Sequence, residues 1–426
     1  MNLGRSRTCL VALQLVFLAA GRLNAGDSST VFPVPPELKP NVQFWVDVFT
    51  RYTKDQAILH DIEVPLRIYS IVDVKGLSRD IPKEKKKMES LVEKEKERIC
   101  SVLKRLGDPD REDTTMTEQE SKIRGMFDAG AKSGDFQRAA ENIRSQSGLR
   151  ESFTEGLIRS GRYIGEIRRI FAARGLPEEL AYLPHVESSY NWRAVSRAGA
   201  VGVWQFTKST GRIFLAVDDA VDERRDPLLS AEAAARLLKR NFEVTGKWPL
   251  AVTAYNHGLL SIRKAMETLG TDDLMQIILT YEHKPFGFAS KNFYAEFLAA
   301  VEVAKNPSRY FGILFPDPPL DFRAEELPVP LPLAAAQRAF RCGRDTLAAL
   351  NPAFLPSVLR EKAAIPRGYR MRLPPGTDIA SAYETLASEG FLPRGSYRAW
   401  CKGAEKVLFR FIESPEGGQN AIGPRT

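Results

Sequence analysis

The chain has 426 residues, 43% of them hydrophobic and 27% charged, a balance that excludes a disordered chain and supplies apolar material for two or three domain cores. A formal charge of +8 suits an anionic polymer or a membrane surface, but no zinc finger, RNA-recognition signature or basic patch with interleaved aromatics accompanies it, so nucleic acid is not the expected partner. The four histidines and four cysteines lack metal-ligand spacing, and no metal or other cofactor is expected.

Residues 1–25 read as a secretory signal. Arg5 and Arg7 form the basic start, Leu10 to Ala20 is apolar apart from Gln14, and Leu23-Asn24-Ala25 ends in a small residue. The apolar run is shorter than the ~20 residues a spanning helix needs, and no later stretch is long enough, so no membrane span is expected after cleavage. Cys9 precedes the apolar run, which gives no support to a lipid-anchored signal. The protein is therefore expected in the periplasm or cell envelope. Cys100, Cys342 and Cys401 remain after processing, an odd set with wide spacing from which no disulfide follows.

Residues 26–165 carry helix-like periodicity and are expected to form an N-terminal helical region. Its run KEKKKMESLVEKEKER, Lys83 to Arg98, places opposite charges at helical spacing and reads as a solvated helix face. Asp108 to Glu120 reads as a loop. From residue 166 to 311 the pattern becomes a dense series of helices punctuated by Gly, Pro and Asn. The stretch 312–332, FPDPPLDFRAEELPVPLP with its neighbours, reads as an extended Pro-rich linker with a boundary near Pro316. Residues 333–380 form a small module: Ala334 to Leu350 is helix-like, Asn351-Pro352 breaks it, and Tyr369 to Leu373 alternates as a strand. Residues 381–426 read as a tail.

Chemistry concentrates in the middle segment. Leu176-Pro177-Glu178-Glu179 has the features of a helix start. Leu176, Leu180, Leu183 and Glu187 then follow at spacings of four, three and four, which puts Glu187 on the leucine face. Burial raises a carboxyl pKa, and an acid that keeps its proton near neutral pH can protonate a leaving glycosidic oxygen. The plain alternative is a glutamate reaching the helix edge or paired with Arg193 or Arg197. Between Glu187 and Asp218 the sequence holds no other acid, while Ser188, Ser189, Asn191, Ser196, Gln205 and Thr207 supply neutral polar groups. Most glycosidases use two carboxylates, so the lone acid is informative unless a distant one folds in. Trp204, in the small-residue run Gly199 to Phe206, suits a sugar face or a core; Tyr255 and Asn256 precede Gly258, which can end a helix. His185 falls on a different helical face from Glu187, and neither it nor His257 has zinc-type spacing; both are expected to be non-catalytic.

In order, VESSYN, VSRAGAVGVWQF and TAYNHG resemble the three signature stretches of the family 1 lytic transglycosylases, most nearly the membrane-bound murein transglycosylase D type. The resemblance extends through LPEELAYLPHVES, STGR, RRDPLLSAEAAARLL and NFYAEFLAAVEVAKNPSRY and covers roughly residues 150 to 311. It implies a mainly α chain with a goose-lysozyme-like helical transglycosylase domain whose partner is the peptidoglycan glycan strand. It further implies that Glu187 is the catalytic acid and then base, that Ser196 lies near the N-acetyl group of the reacting sugar, and that Gln205, Tyr255 and Asn256 line the saccharide groove. Tyr294 matches a family tyrosine near the acid. Val203-Trp204 stands where the family commonly has Leu-Met or Ile-Trp. The implied reaction opens the MurNAc–GlcNAc bond without water and leaves a 1,6-anhydro end, one of the substrate-assisted exceptions to the two-carboxylate scheme.

GRDTLAALNPAF followed by IPRGYRMRLPPG is similar in outline to a degenerate LysM module, βααβ, whose opening strand is expected from LPVPLPL. A spacer role is the alternative. For the whole chain, two further readings stand beside the transglycosylase. One is a goose-type muramidase that hydrolyses the same bond, with a water-activating Asp from the N-terminal helices. The other is an inert peptidoglycan-binding scaffold.

Overall fold

The computed structural model describes residues 31–78, 80–110 and 115–393; the expected signal, Cys401 and most of the expected tail lie outside these residues. The order is α1 (Lys39–Thr50), β1 (Gln56–Asp61), β2 (Ile68–Asp73), α2 (Pro82–Leu106), α3 (Glu118–Arg124), α4 (Ser133–Glu141), β3 (Ile143–Ser147), α5 (Arg150–Ser160) and α6 (Ile164–Ala172). A 3-10 turn over Glu178–Tyr182 leads into α7 (Leu183–Ser188). Next come α8 (Lys208–Phe214), α9 (Pro227–Thr245), α10 (Trp248–His257), α11 (Leu259–Leu269), α12 (Leu274–Thr280), α13 (Phe288–Lys305) and α14 (Pro307–Phe311). The last part is β4 (Arg323–Glu326), α15 (Leu333–Ala339), α16 (Arg344–Leu350), α17 (Pro356–Leu359), β5 (Arg370–Leu373) and α18 (Ile379–Ser388). The chain is mainly helical.

The N-terminal region is partly helical, as expected, and also contains strands that the expectation of a helical region did not include. It holds a three-stranded antiparallel sheet, order β2-β1-β3, with Ile58 opposite Ile71 and Gln146. The central strand is covered on both faces: Ile58 enters the main core and Leu59 a smaller one with Ile99, Leu103, Phe127 and Phe136. A strand buried on both sides loses the alternation that identifies it, and Ala57-Ile58-Leu59 reads as a plain apolar run. Helix α2, which contains the charged run, buries Met88, Ile99 and Leu103 and turns most of its remaining surface to solvent.

Helix α13 is the axis of the main core. Phe293, Tyr294, Ala295, Phe297, Leu298, Ala299 and Ala300 are all buried, because α1, α7 and α10 pack around it. Asn292 Oδ1 accepts from Asn41 Nδ2 at 2.9 Å and Trp45 Nε1 at 3.4 Å, so α1 is fixed to α13 by polar as well as apolar contacts. The core runs from Phe32 to Val303 without a break at residue 165. Helix α9 shows why these segments stop where they do. Asp226 caps it by accepting from Leu228 N and Leu229 N at 3.0 Å, Pro227 fills its first position, and Gly246 at φ 70° ends it.

The Pro-rich stretch is extended but not free. Asp317 N donates to Ile158 O at 2.9 Å and Leu320 N to Arg162 O at 3.0 Å, which lays the stretch along α5 and α6. The opening strand of the C-terminal module is Arg323–Glu326, antiparallel to β5, and not the LPVPLPL segment. Three prolines there remove ladder donors, and only the bridge between Leu331 and Ile365 forms. Helix α18 occupies the start of the expected tail, with Ile379, Ala382, Tyr383 and Leu386 buried in this module's core. Cys100 and Cys342 are free thiols.

The module docks closely on the helices around α9. Arg372 of β5, 4% exposed, donates from Nη1 to Asp226 Oδ2 at 2.6 Å and from Nη2 to Asp226 Oδ1. Asp222 N donates to Ala353 O at 2.8 Å, Leu355 N donates to Ala220 O at 3.0 Å, and Val221 joins the module's core.

Candidate active site

Glu187 lies in the last turn of α7. The expected single helix from Leu176 is divided into the 3-10 turn and α7 because Pro184 cannot donate an N–H, yet Leu180 and Leu183 are fully buried on the shared face. The helix ends at Ser189 and Tyr190, both left-handed at φ 50° and 57°. Arg159 holds this reversal by donating from Nε and Nη2 to Ser189 O at 3.1 and 2.8 Å, and the buried Tyr190 hydroxyl donates to Ala181 O. Two consecutive non-glycine residues in the left-handed region cost on the order of 1–3 kcal/mol each, a conformation that persists where the surroundings over-determine it.

The Glu187 side chain is half-buried, and burial pushes its pKa up to about 8 from 4.5. It makes no hydrogen bond or ion pair with a described residue; neither Arg193 nor Arg197 reaches it. At neutral pH the carboxyl holds a proton that it can give away.

Of the expected residues, Tyr255 lies within reach of the Glu187 charge, and Gln205 adjoins Trp204, the residue to which Tyr255 is bonded. The Tyr255 hydroxyl of α10 donates to Trp204 O at 2.7 Å, and the Glu187 charge adds to burial in raising its pKa well above 10. Gln205, next in sequence to Trp204, is left-handed at φ 49° and donates from Nε2 to Gly202 O at 2.8 Å. Ser188 Oγ, beside Glu187, donates to Val203 O at 2.9 Å, so the loop is fastened to the helix that carries the acid. Asn256 follows Tyr255 at the surface and accepts from Ser290 Oγ at 3.2 Å.

Ser196 stands across a small hairpin built from the bridges Val195–Val201 and Val201–Phe206; its Oγ accepts from Ala200 N at 3.0 Å. Gly202, at φ 83°, is required here: a Cβ would fall 1.9 Å from Arg224 O. Arg224 itself is buried, pairs with Asp222 at 2.9 and 2.7 Å, and donates from Nη1 to Phe206 O and Gly199 O. One guanidinium thus pins both ends of the Gly199–Phe206 loop.

Trp204 belongs to the core. It is fully buried and donates from Nε1 to Pro227 O at 3.3 Å. Tyr294 is 1% exposed, its ring stacks with Phe297, and its hydroxyl donates to Pro33 O at 2.9 Å. His185 is buried among Phe153, Tyr182 and Tyr190, and burial lowers its pKa to about 3. His257 Nδ1 lies 3.0 Å from Ser290 Oγ.

A second carboxyl, unmarked in the sequence reading, also reaches the site. Glu296 of α13 is half-buried, and burial together with the nearby Glu187 charge raises its pKa to about 8, while Arg144 of β3 opposes the rise. Its sequence signal was weak: a single charged residue in the apolar run NFYAEFLAAV, more than a hundred positions from Glu187.

Residues 169–277 match the sequence family described as Transglycosylase SLT domain. The chain carries a transglycosylase SLT domain. Glu187, Ser196, Gln205, Tyr255 and Asn256 lie within the matched SLT residues, whereas Arg144, Glu296 and Tyr294 lie outside them. The chain is also 36% identical over 149 residues to the membrane-bound lytic murein transglycosylase D of Escherichia coli, the same value holding for two strains. That alignment takes in 34% of this chain and spans 31%, about a third, of the length of those relatives. Among the described residues no helix is long and apolar enough to cross a membrane.

Proposed function

We propose that the protein is a peptidoglycan lytic transglycosylase that opens the β-1,4 bond between MurNAc and GlcNAc without water. The observation that carries this reading is a half-buried, unpaired Glu187 whose proton is retained at neutral pH inside an SLT domain. Glu187 protonates the leaving glycosidic oxygen as the C1–O bond breaks, and the N-acetyl group of the substrate stabilises the positive C1. The C6 hydroxyl oxygen then bonds to C1 while Glu187, now a carboxylate, takes its proton. The products are a GlcNAc end and a 1,6-anhydro-MurNAc end, and the acid is restored. Ser196 is assigned to the N-acetyl group, and Gln205, Tyr255 and Asn256 to the glycan; Tyr294, engaged with Pro33, is assigned a bracing role.

The signal expected from the sequence of residues 1–25 supports action in the periplasm or cell envelope. Residues 166–311 are proposed as the catalytic unit. The outline of the C-terminal module, three short helices between two antiparallel strands, supports a LysM-like glycan contact, and its buried attachment to Asp226 supports a positioning role.

Glu296 favours one second reading, hydrolysis of the same bond, since two carboxyls near one sugar can activate water. The released ends separate the two: anhydro-MurNAc supports the lyase, reducing ends the hydrolase. Glu187→Gln is expected to abolish release of either product with the fold intact, and turnover by that variant would contradict the assignment.

A further inference from the structure

The N-terminal region contains a cleft of about 460 Å³ that the proposed chemistry does not use, a volume in the range of small-ligand sites. It opens between the β1–β2 turn and the segment that runs from Phe127 into α4, and six charged side chains line it: Asp61, Glu63, Arg67, Asp128, Asp135 and Arg138. Arg67 is held in place. Its Nη1 donates to Asp61 Oδ2 at 2.9 Å, its Nε donates to Met126 O at 3.3 Å, and its guanidinium lies 3.9 Å over the Phe127 ring, which leaves Nη2 outside these contacts. Asp61, 2% exposed, is fully engaged, since it also accepts from the Tyr69 hydroxyl at 2.8 Å and from Glu63 N and Val64 N at 2.8 and 3.2 Å. Arg138 lies 3.6 Å from Asp135, which accepts from Lys132 N at 2.9 Å. The remaining two acids have no cation. Glu63 accepts from the neutral Asn142 amide at 3.0 Å, and the Asp128 carboxylate makes no hydrogen bond or ion pair among the described residues, although Arg124 braces its backbone by donating to Asp128 O at 3.1 Å and Ala129 O at 2.9 Å. Two uncompensated carboxylates, one from each wall, therefore share the cleft with a fixed guanidinium.

We propose that this cleft binds a short peptide that carries both a free ammonium and a free carboxylate group. Glu63 and Asp128 take the ammonium, and Arg67 Nη2 with Arg138 takes the carboxylate. Because Asp61 and Met126 O already hold the Arg67 guanidinium, binding immobilises no long side chain there. Val64, Ala131 and Ala139 supply small apolar walls that suit a peptide backbone. Other ligand classes fit these residues less well. A phosphate or nucleotide meets two unpaired carboxylates of its own sign. A neutral glycan leaves both acids without a cation, and Arg67 covers the Phe127 face on which a sugar could rest. For a metal ion, the described residues offer no group of three or more His, Cys, Asp or Glu that could hold one. The cleft lies outside residues 169–277, the stretch that matches the SLT domain. The proposed function supplies a source for such a ligand, the peptide stems of peptidoglycan, and free peptide released from the wall is the other source. The stems enter only through that function; the ammonium and the carboxylate follow from the cleft alone.

Isothermal titration calorimetry of the full-length chain with N-acetyl-L-Ala-γ-D-Glu-meso-diaminopimelate, whose one free ammonium is on the last residue, tests the site. Wild type and Glu187→Gln are expected to bind this tripeptide equally. Acetylating its remaining amino group, or introducing Glu63→Gln or Asp128→Asn, is expected to weaken binding about tenfold in each case, while both variants cut stem-free glycan strands as the wild type does. Absence of tripeptide binding overturns the site, and so does equal binding by the wild type and the Glu63→Gln, Asp128→Asn double variant. If Glu63→Gln melts early through loss of its Asn142 bond, Asp128→Asn decides, because no bond of the Asp128 side chain is lost with it. A stem-bearing disaccharide titrated into Glu187→Gln identifies the source: binding that the double variant weakens supports the stems, and binding confined to the tripeptide supports released peptide. Tripeptide binding by a wild type that cuts no glycan keeps the site and overturns the transglycosylase, whereas glycan cleavage without tripeptide binding overturns the site alone.

Discussion

Glu187 and Glu296 hold protons at neutral pH that their unfolded counterparts release, and this couples activity to stability. For both, the folded pKa of about 8 lies above the model value of 4.5, so the folded state binds more protons between those limits. Their unfavourable effect is absent below pH 4.5 and grows as pH rises through 8. His185 and His60 act with the opposite sign. Their folded pKa values, about 3 and about 4, lie below 6.5, so the stability tied to their neutral forms is complete above pH 6.5 and is lost as pH falls. Stability is therefore expected to peak near pH 5–6. At pH 8 the inactive Glu187→Gln is expected to melt about 2–4 °C above wild type, a change that shrinks to nothing by pH 5; thermal melts across that range check it. Glu187 was legible in the sequence because its leucine spacing and its VES motif coincide. Glu296 was not, because its nearness to Glu187 comes from the packing of α13 against α7, which a linear pattern does not contain.

The loop from Gly199 to Phe206 is the element whose shape is most fully specified. Arg224 bridges its two ends, Gly202 lies against Arg224 O, and Gln205 takes a left-handed conformation between them. Gly202→Ala forces a Cβ into that carbonyl and is expected to cost about 3 kcal/mol or more and most of the activity, read by denaturant unfolding and glycan turnover. Arg224→Met removes the short-range partner of a buried pair and leaves Asp222 only the 3.9 Å contact with Arg225, with an expected loss of about 3 kcal/mol. The sequence marked the glycines and Gln205 as a close-approach loop, and RRDPLLSA as part of the same family pattern, without showing that one fastens the other. The sheet β2-β1-β3 escaped for a different reason. Strand β1 is buried on both faces and short, so its period was hidden, and β3 is paired from more than eighty residues away.

At the scale of the molecule, the N-terminal region and the C-terminal module are both joined to the helices between residues 164 and 311 through polar contacts. Asn292 and Tyr294 fasten the former, and Asp226–Arg372 the latter. The Pro-rich stretch between the last helices and the module lies against α5 and α6, where a linker reading of its prolines gave only its extended shape. Arg372→Met leaves Asp226 buried with its capping bonds alone and is expected to weaken the module's attachment. Limited proteolysis is then predicted to cut near residues 312–332 in the variant and not in the wild type.

The central claim is that Glu187 drives non-hydrolytic cleavage of the glycan strand. Its most direct test is mass spectrometry of the fragments released from peptidoglycan sacculi by the wild type and by Glu187→Gln. Anhydro-MurNAc ends from the wild type, with none from the variant, are the predicted result. Reducing MurNAc ends from the wild type would show a hydrolase, and cleavage by the variant would contradict Glu187 as the acid.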